Sequence, residues 1–78
     1  MTMQRYRNLS GDSGVTHYAI GEDFIEVKFT GKSTVYIYSN SVNGEHHVER
    51  MKSLAISGRG LCTYITKHKE VKNYYNKR

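Results

Sequence analysis

Between residues 24 and 38 the chain alternates twice across one glycine-bearing turn, and that alternation limits what it can fold into. In Phe24-Ile25-Glu26-Val27-Lys28-Phe29, Ile25, Val27 and Phe29 fall on one side and Glu26 and Lys28 on the other. This is the period-two pattern of a half-buried strand. Thr30-Gly31-Lys32-Ser33 supplies a hairpin turn, in which Gly31 takes positive φ at little steric cost. The next run, Thr34-Val35-Tyr36-Ile37-Tyr38, is β-branched and aromatic. Val35 and Ile37 share one face, and Tyr36 and Tyr38 the other. A shorter alternating run, Val15–Ile20, precedes both, separated by the turn Gly21-Glu22-Asp23. Three strands joined by links this short predict an antiparallel meander.

Helical periodicity takes over after a polar break at 39–44. Val48, Met51, Leu54 and Ala55 recur at spacings of three and four, while Glu49, Arg50, Lys52 and Ser53 form the opposite side. Asn43 suits the N-cap, Glu45 the first turn, and Gly58 the C-cap of a helix over 44–57. A second helix is expected over 61–72, with Leu61, Tyr64, Ile65 and His68 on one face and Lys67 and Lys69 flanking it. The expected fold class is α+β: a three-stranded antiparallel β-meander packed against two C-terminal helices. The expected core is Ile25, Val27, Phe29, Val35, Ile37, Val48, Met51, Leu54, Ala55, Leu61 and Ile65. Residues 1–13, ending in Ser10-Gly11-Asp12-Ser13 before Gly14, read as a flexible arm. Residues 14–75 read as a single domain and 76–78 as a basic tail. Asn73-Tyr74-Tyr75 either docks on the sheet or stays loose.

With 78 residues, such a domain buries only about 60% of its unfolded surface. Cys62 is the only cysteine, which excludes a disulfide within the chain and a cysteine-rich zinc site. A homo-oligomer is one remaining route to stability. No run approaches the ~18 apolar residues of a membrane span. The polar start, with Arg5 and Arg7, lacks the apolar core of a secretory signal. A cytoplasmic protein without membrane partners is therefore expected.

Charge points toward anions. Twelve Lys and Arg stand against seven Asp and Glu, a formal net charge of +5. Lys67, Lys69, Lys72, Lys77 and Arg78 crowd the C-terminal stretch around the acid Glu70. Such a cluster attracts polyanions, although the same composition also makes an ordinary solvated surface.

Catalytic patterns are lacking. His46 and His47 are adjacent, so on a helix they point about 100° apart and chelate one ion poorly. His47 is expected at the edge of the apolar stripe and His46 in solvent. No nucleophile elbow surrounds Cys62, and the carboxylates form no general acid/base pair. There is no phosphate loop, dinucleotide fingerprint or zinc pattern. No enzyme, cofactor or metal site is expected.

The sharpest local feature is the turn Ser57-Gly58-Arg59-Gly60-Leu61. Backbone N–H groups opening a second helix there, with Arg59 beside them, would suit a phosphate or carboxylate. The same glycines also suit a plain helix corner with Arg59 in solvent. Tyrosines number seven, and Tyr36 and Tyr38 are placed on the open sheet face. There they would stack on bases, anchor a protein, pair within the sheet or support a dimer. The expected anion-binding set is Arg50, Lys52, Arg59, Gly60, Lys67 and Lys69, with Tyr36 and Tyr38 as stacking or protein-contact residues.

Several of these positions together resemble the KTSC domain, a small module found at the C-terminus of some lysyl-tRNA synthetases and as a stand-alone bacterial or phage protein. The likeness runs from about Ser13 to Tyr75. It is carried by the strand Phe24–Phe29, Gly31, Val35-Tyr36-Ile37-Tyr38, the helix ending Leu54-Ala55-Ile56-Ser57, the glycine turn, Tyr64-Ile65 and Tyr74-Tyr75. The resemblance implies a β-meander with helices on one face, a nucleic-acid-binding role and no catalysis. The functional expectation is a small non-enzymatic module binding nucleic acid or a nucleotide through a basic, tyrosine-rich surface. The alternative is a phage or mobile-element inhibitor that neutralises a host defence component, either a protein complex or a nucleotide signal.

Overall fold

A computed structural model describes residues 3–9, 14–72 and 75–77. Its described elements run β1 (Gln4–Arg5), β2 (Val15–Ile20), β3 (Phe24–Phe29), β4 (Val35–Ser39), α1 (Asn40–Asn43), α2 (Glu45–Ser57), α3 (Leu61–Lys67), α4 (Lys69–Lys72) and β5 (Asn76–Lys77). The fold is α+β, and its antiparallel sheet has the order β1-β2-β3-β4-β5. The expected meander is present as β2-β3-β4. Two-residue strands extend it at both edges, too short to leave any periodicity in the sequence.

Register decides which residues meet the helices. Ile25 pairs with Tyr38 and Val27 with Tyr36, and cross-strand partners share a face. Ile25 and Val27 are fully buried and Tyr38 is 2% exposed. Tyr36 and Tyr38 therefore lie on the helix-covered face, while Val35 and Ile37 take the outer face and are only half-buried. This reverses the expected orientation of β4. The cause is the four-residue loop Thr30–Ser33, an even count that sets position 29 opposite 34 and pairs odd positions of β3 with even ones of β4. A loop one residue longer or shorter would flip every side chain of the strand.

β2 holds a second irregularity. Val15 pairs with Phe29 but His17 pairs with Lys28, which leaves Thr16 as the extra residue of a bulge. The Thr16 hydroxyl donates to the Lys28 carbonyl at 3.1 Å. The bulge brings Val15 onto the same face as Tyr18, and both are buried.

Helix α2 buries Val48, Met51 and Ala55 and, with α3, closes the core formed by Ile25, Val27, Tyr38, Leu61, Ile65 and Val71. Asn43, expected as the N-cap of α2, instead ends α1, and its Oδ1 accepts the Ser39 N–H at 3.1 Å. Gly44 takes the position before α2. The single helix expected over 61–72 is broken at His68, which is extended (φ −103°, ψ 104°). The His68 ring Nδ1 lies 2.9 Å from the Tyr64 carbonyl, and the break turns Val71 fully into the core.

Residues 3–9 of the expected flexible arm are part of the fold. Tyr6 is 3% exposed and meets Tyr18 edge-on at 6.5 Å. The rest of that arm lies outside the described residues. Tyr75 docks against β4, and the expected basic tail contributes β5 through Asn76 and Lys77; Arg78, Asn73 and Tyr74 lie outside the described residues. Among the described residues no helix is long and apolar enough to cross a membrane.

Candidate functional site

The inward turn of β4 builds a cleft of about 250 Å³ at the side of the sheet nearest β5. Phe29, Tyr36 and Tyr38 come from the strands, Cys62, Ile65 and Thr66 from α3, and Tyr75 from the segment before β5. Lys32 from the β3–β4 loop and Lys72 from the end of α4 complete the lining. The rings interlock. Phe29 meets Tyr36 at 5.3 Å and 72°, Tyr36 meets Tyr75 at 4.7 Å and 61°, and Tyr38 meets Tyr75 at 6.1 Å and 42°. The Lys32 ammonium sits 5.9 Å from the centre of the Tyr36 ring, within the range of a cation–π contact.

Burial first, and then the neighbouring Tyr75, Tyr36 and Cys62, push the Tyr38 phenol well above the ordinary tyrosine range. It stays neutral at physiological pH and presents an O–H rather than a charge. The cleft is thus aromatic on its walls and cationic at two points, and no described carboxylate lines it. It is smaller than the roughly 300–1,000 Å³ of drug-sized sites, which suits one ring system rather than an extended ligand.

The residues expected to bind anions are not gathered in one place. Arg50 is exposed on α2. Lys52 is engaged: its ammonium lies 2.8 Å from Glu49 Oε2 and donates to the Glu22 carbonyl at 2.9 Å, tying α2 to the β2–β3 turn. Arg59 and Gly60 precede α3, whereas Lys67 ends it, about 10 Å along a seven-residue helix. Lys69 is exposed on α4. Tyr36 and Tyr38 do come together, with the sheet face reversed.

The glycine turn is occupied from within. Gly58 ends α2 in the left-handed conformation (φ 83°), and its N–H donates to the Leu54 carbonyl at 3.0 Å. Arg7 Nη2 donates to the Ile56 carbonyl at 2.6 Å, and the Leu9 N–H to the Gly58 carbonyl at 2.7 Å. The Leu61 N–H at the start of α3 donates to the Tyr6 hydroxyl at 3.3 Å. The N-terminal segment thus takes one N–H that an anion was expected to take, that of Leu61, and covers two carbonyls beside it.

His47 is half-buried and His46 exposed, as their places on the stripe required. His47 Nδ1 lies 2.7 Å from the Tyr64 hydroxyl, and Tyr64 stacks on His68 at 4.1 Å. Among the described residues no three metal-ligating side chains converge.

Sequence reasoning missed Phe29, Lys32, Lys72 and Tyr75 as cleft residues. The even loop length was the available signal for the tyrosine face. The convergence of the others depends on the break at His68 and the return of the chain to β4, neither of which leaves a local pattern. No family model, no curated protein and no solved structure matches this chain.

Proposed function

We propose that this protein is a small non-enzymatic module that binds a nucleotide or nucleic acid, taking a base into the tyrosine cleft and its phosphate onto Lys32 and Lys72. The observation that carries this reading is the composition of the cleft: four aromatic rings and two lysines with no described carboxylate among them. Aromatic walls offer every base a π-face, and lysines at the same recess favour the attached phosphate. The net charge of +5 adds attraction at longer range, and the KTSC resemblance points to the same class of ligand.

The test is quenching of intrinsic tyrosine fluorescence by AMP and UMP. Saturable quenching is expected, weakening as salt rises. Tyr36→Ala should reduce affinity by the value of one stacked base, about 1–3 kcal/mol, or roughly 5- to 150-fold. Quenching that never saturates, or that Tyr36→Ala leaves unchanged, would overturn the proposal.

A further inference from the structure

Resting on that reading of the cleft, we infer that it is the end of a longer track and that the ligand is a single-stranded polynucleotide. Two more hollows lie beyond it, one of them adjoining it. One, of about 460 Å³, is lined by Arg5, Arg7, Asn8 and His17, among others. The next, of about 530 Å³, is lined by His17, Lys28, Lys32 and Ser33 with their neighbours. The first two hollows share Thr16, His17 and Thr30, and the second shares Phe29 and Lys32 with the cleft. The three recesses therefore run in series from β1 to α4.

Cations mark the length of this path. Arg5 pairs with His17 and His17 with Lys28, so the three form a row across adjacent strands. At ~4.8 Å per strand the row spans about 10 Å. Neither Arg5 nor Lys28 has an ion pair with a described residue. His17 Nδ1 is buried there without a hydrogen-bond partner. The bulge at Thr16 lies at this point, and bulges re-aim side chains beside functional sites. None of the three hollows is lined by a described carboxylate. Glu26, on the same sheet face, is 3% exposed, and Glu22 and Asp23 lie at the opposite end of β2 and β3.

A row this long exceeds what one phosphate contacts and matches a chain of them. Thr30 and Ser33 add hydroxyls of the kind that bind phosphate and sugar. The recesses end in the edge-to-face ring cluster of the cleft, whose walls offer π-faces to unpaired bases. A duplex keeps its bases stacked inside and is read by a protruding helix or ribbon.

The test is fluorescence anisotropy with fluorescein-labelled single strands of about ten nucleotides, a length that one small fold covers, as DNA and as RNA. A hairpin duplex and the mononucleotide titration above serve as comparisons. At least one single strand should bind tighter than the mononucleotide and tighter than the duplex. Arg5→Gln and Lys28→Gln should each weaken it severalfold and flatten the slope of log K against log salt by about 0.7. Neither should change AMP binding, and thermal melting of both variants identifies any loss caused by unfolding. Arg5 is exposed, so its variant keeps the test available if Lys28→Gln melts early. Strand affinity no better than that of AMP, an unchanged salt slope, or equal binding of the duplex overturns the track while leaving the cleft standing. Loss of AMP binding in the wild-type protein is the separate failure of the cleft itself.

Discussion

The glycine turn at residues 57–61 and the tyrosine cleft draw on the same kinds of residue, but one is closed from within and the other is left open. At the turn, Tyr6, Arg7 and Leu9 reach back and satisfy the Leu61 N–H and the Ile56 and Gly58 carbonyls. At the cleft, Tyr36, Tyr38 and Tyr75 pack on one another and leave a recess with Lys32 and Lys72 at its lining. Of the backbone donors at this helix start, Tyr6 takes that of Leu61. The difference teaches that local chemistry nominates a site and tertiary contacts decide it.

The largest test of this contrast is Tyr6→Ala. Removing a ring that is 3% exposed and holds the Leu61 N–H should cost about 3–5 kcal/mol in urea unfolding. A loss below about 0.5 kcal/mol, as for an ordinary surface site, would return residues 3–9 to the status of a loose arm. Gly58→Ala comes next. A left-handed φ and a new Cβ only 2.9 Å from Arg7 Cβ should cost roughly 1–3 kcal/mol, with AMP affinity unchanged in the protein that stays folded. Tyr38→Phe sharpens the cleft side. The raised pKa of Tyr38 means that the folded state keeps its proton after the unfolded state, near pH 10, has lost it. Stability from this group is fully present below pH ~10 and is lost above it, by up to about 1.4 kcal/mol per pH unit. Unfolding at alkaline pH should therefore show a limb that Tyr38→Phe makes shallower; an identical limb in the variant would contradict the burial of that phenol. The smallest effect is expected at Arg59, exposed beside the closed turn. Arg59→Gln should change stability by less than about 0.5 kcal/mol and leave AMP affinity within about twofold, whereas a large loss would reopen the turn as a site.

Much of the fold was legible in the chain because its periodicities are long enough to count. The alternation of Val15–Ile20 and Phe24–Phe29 and the stripe Val48, Met51, Leu54, Ala55 placed β2, β3 and α2 correctly. β1 and β5 were hidden because two residues carry no period. The face of β4 was misjudged although Thr30–Ser33 could be counted as four, since register depends on the loop as much as on the strand. The break at His68 accompanies a local ring-to-carbonyl contact with Tyr64 and the burial of Val71, and the second of these is tertiary. The candidate site was visible only as two tyrosines. Lys32 and Tyr75 are separated by more than half the chain, and only the return of the chain to β4 brings them together.

The central claim, an open cleft beside a closed turn, is tested most directly by following the backbone amides of the ¹⁵N-labelled protein by NMR during titration with AMP. The account predicts shifts concentrated at Lys32, Tyr36, Tyr38, Cys62, Thr66, Lys72 and Tyr75, with Arg59, Gly60 and Leu61 unmoved. Shifts centred on Arg59 to Leu61 and absent from the tyrosines would contradict it.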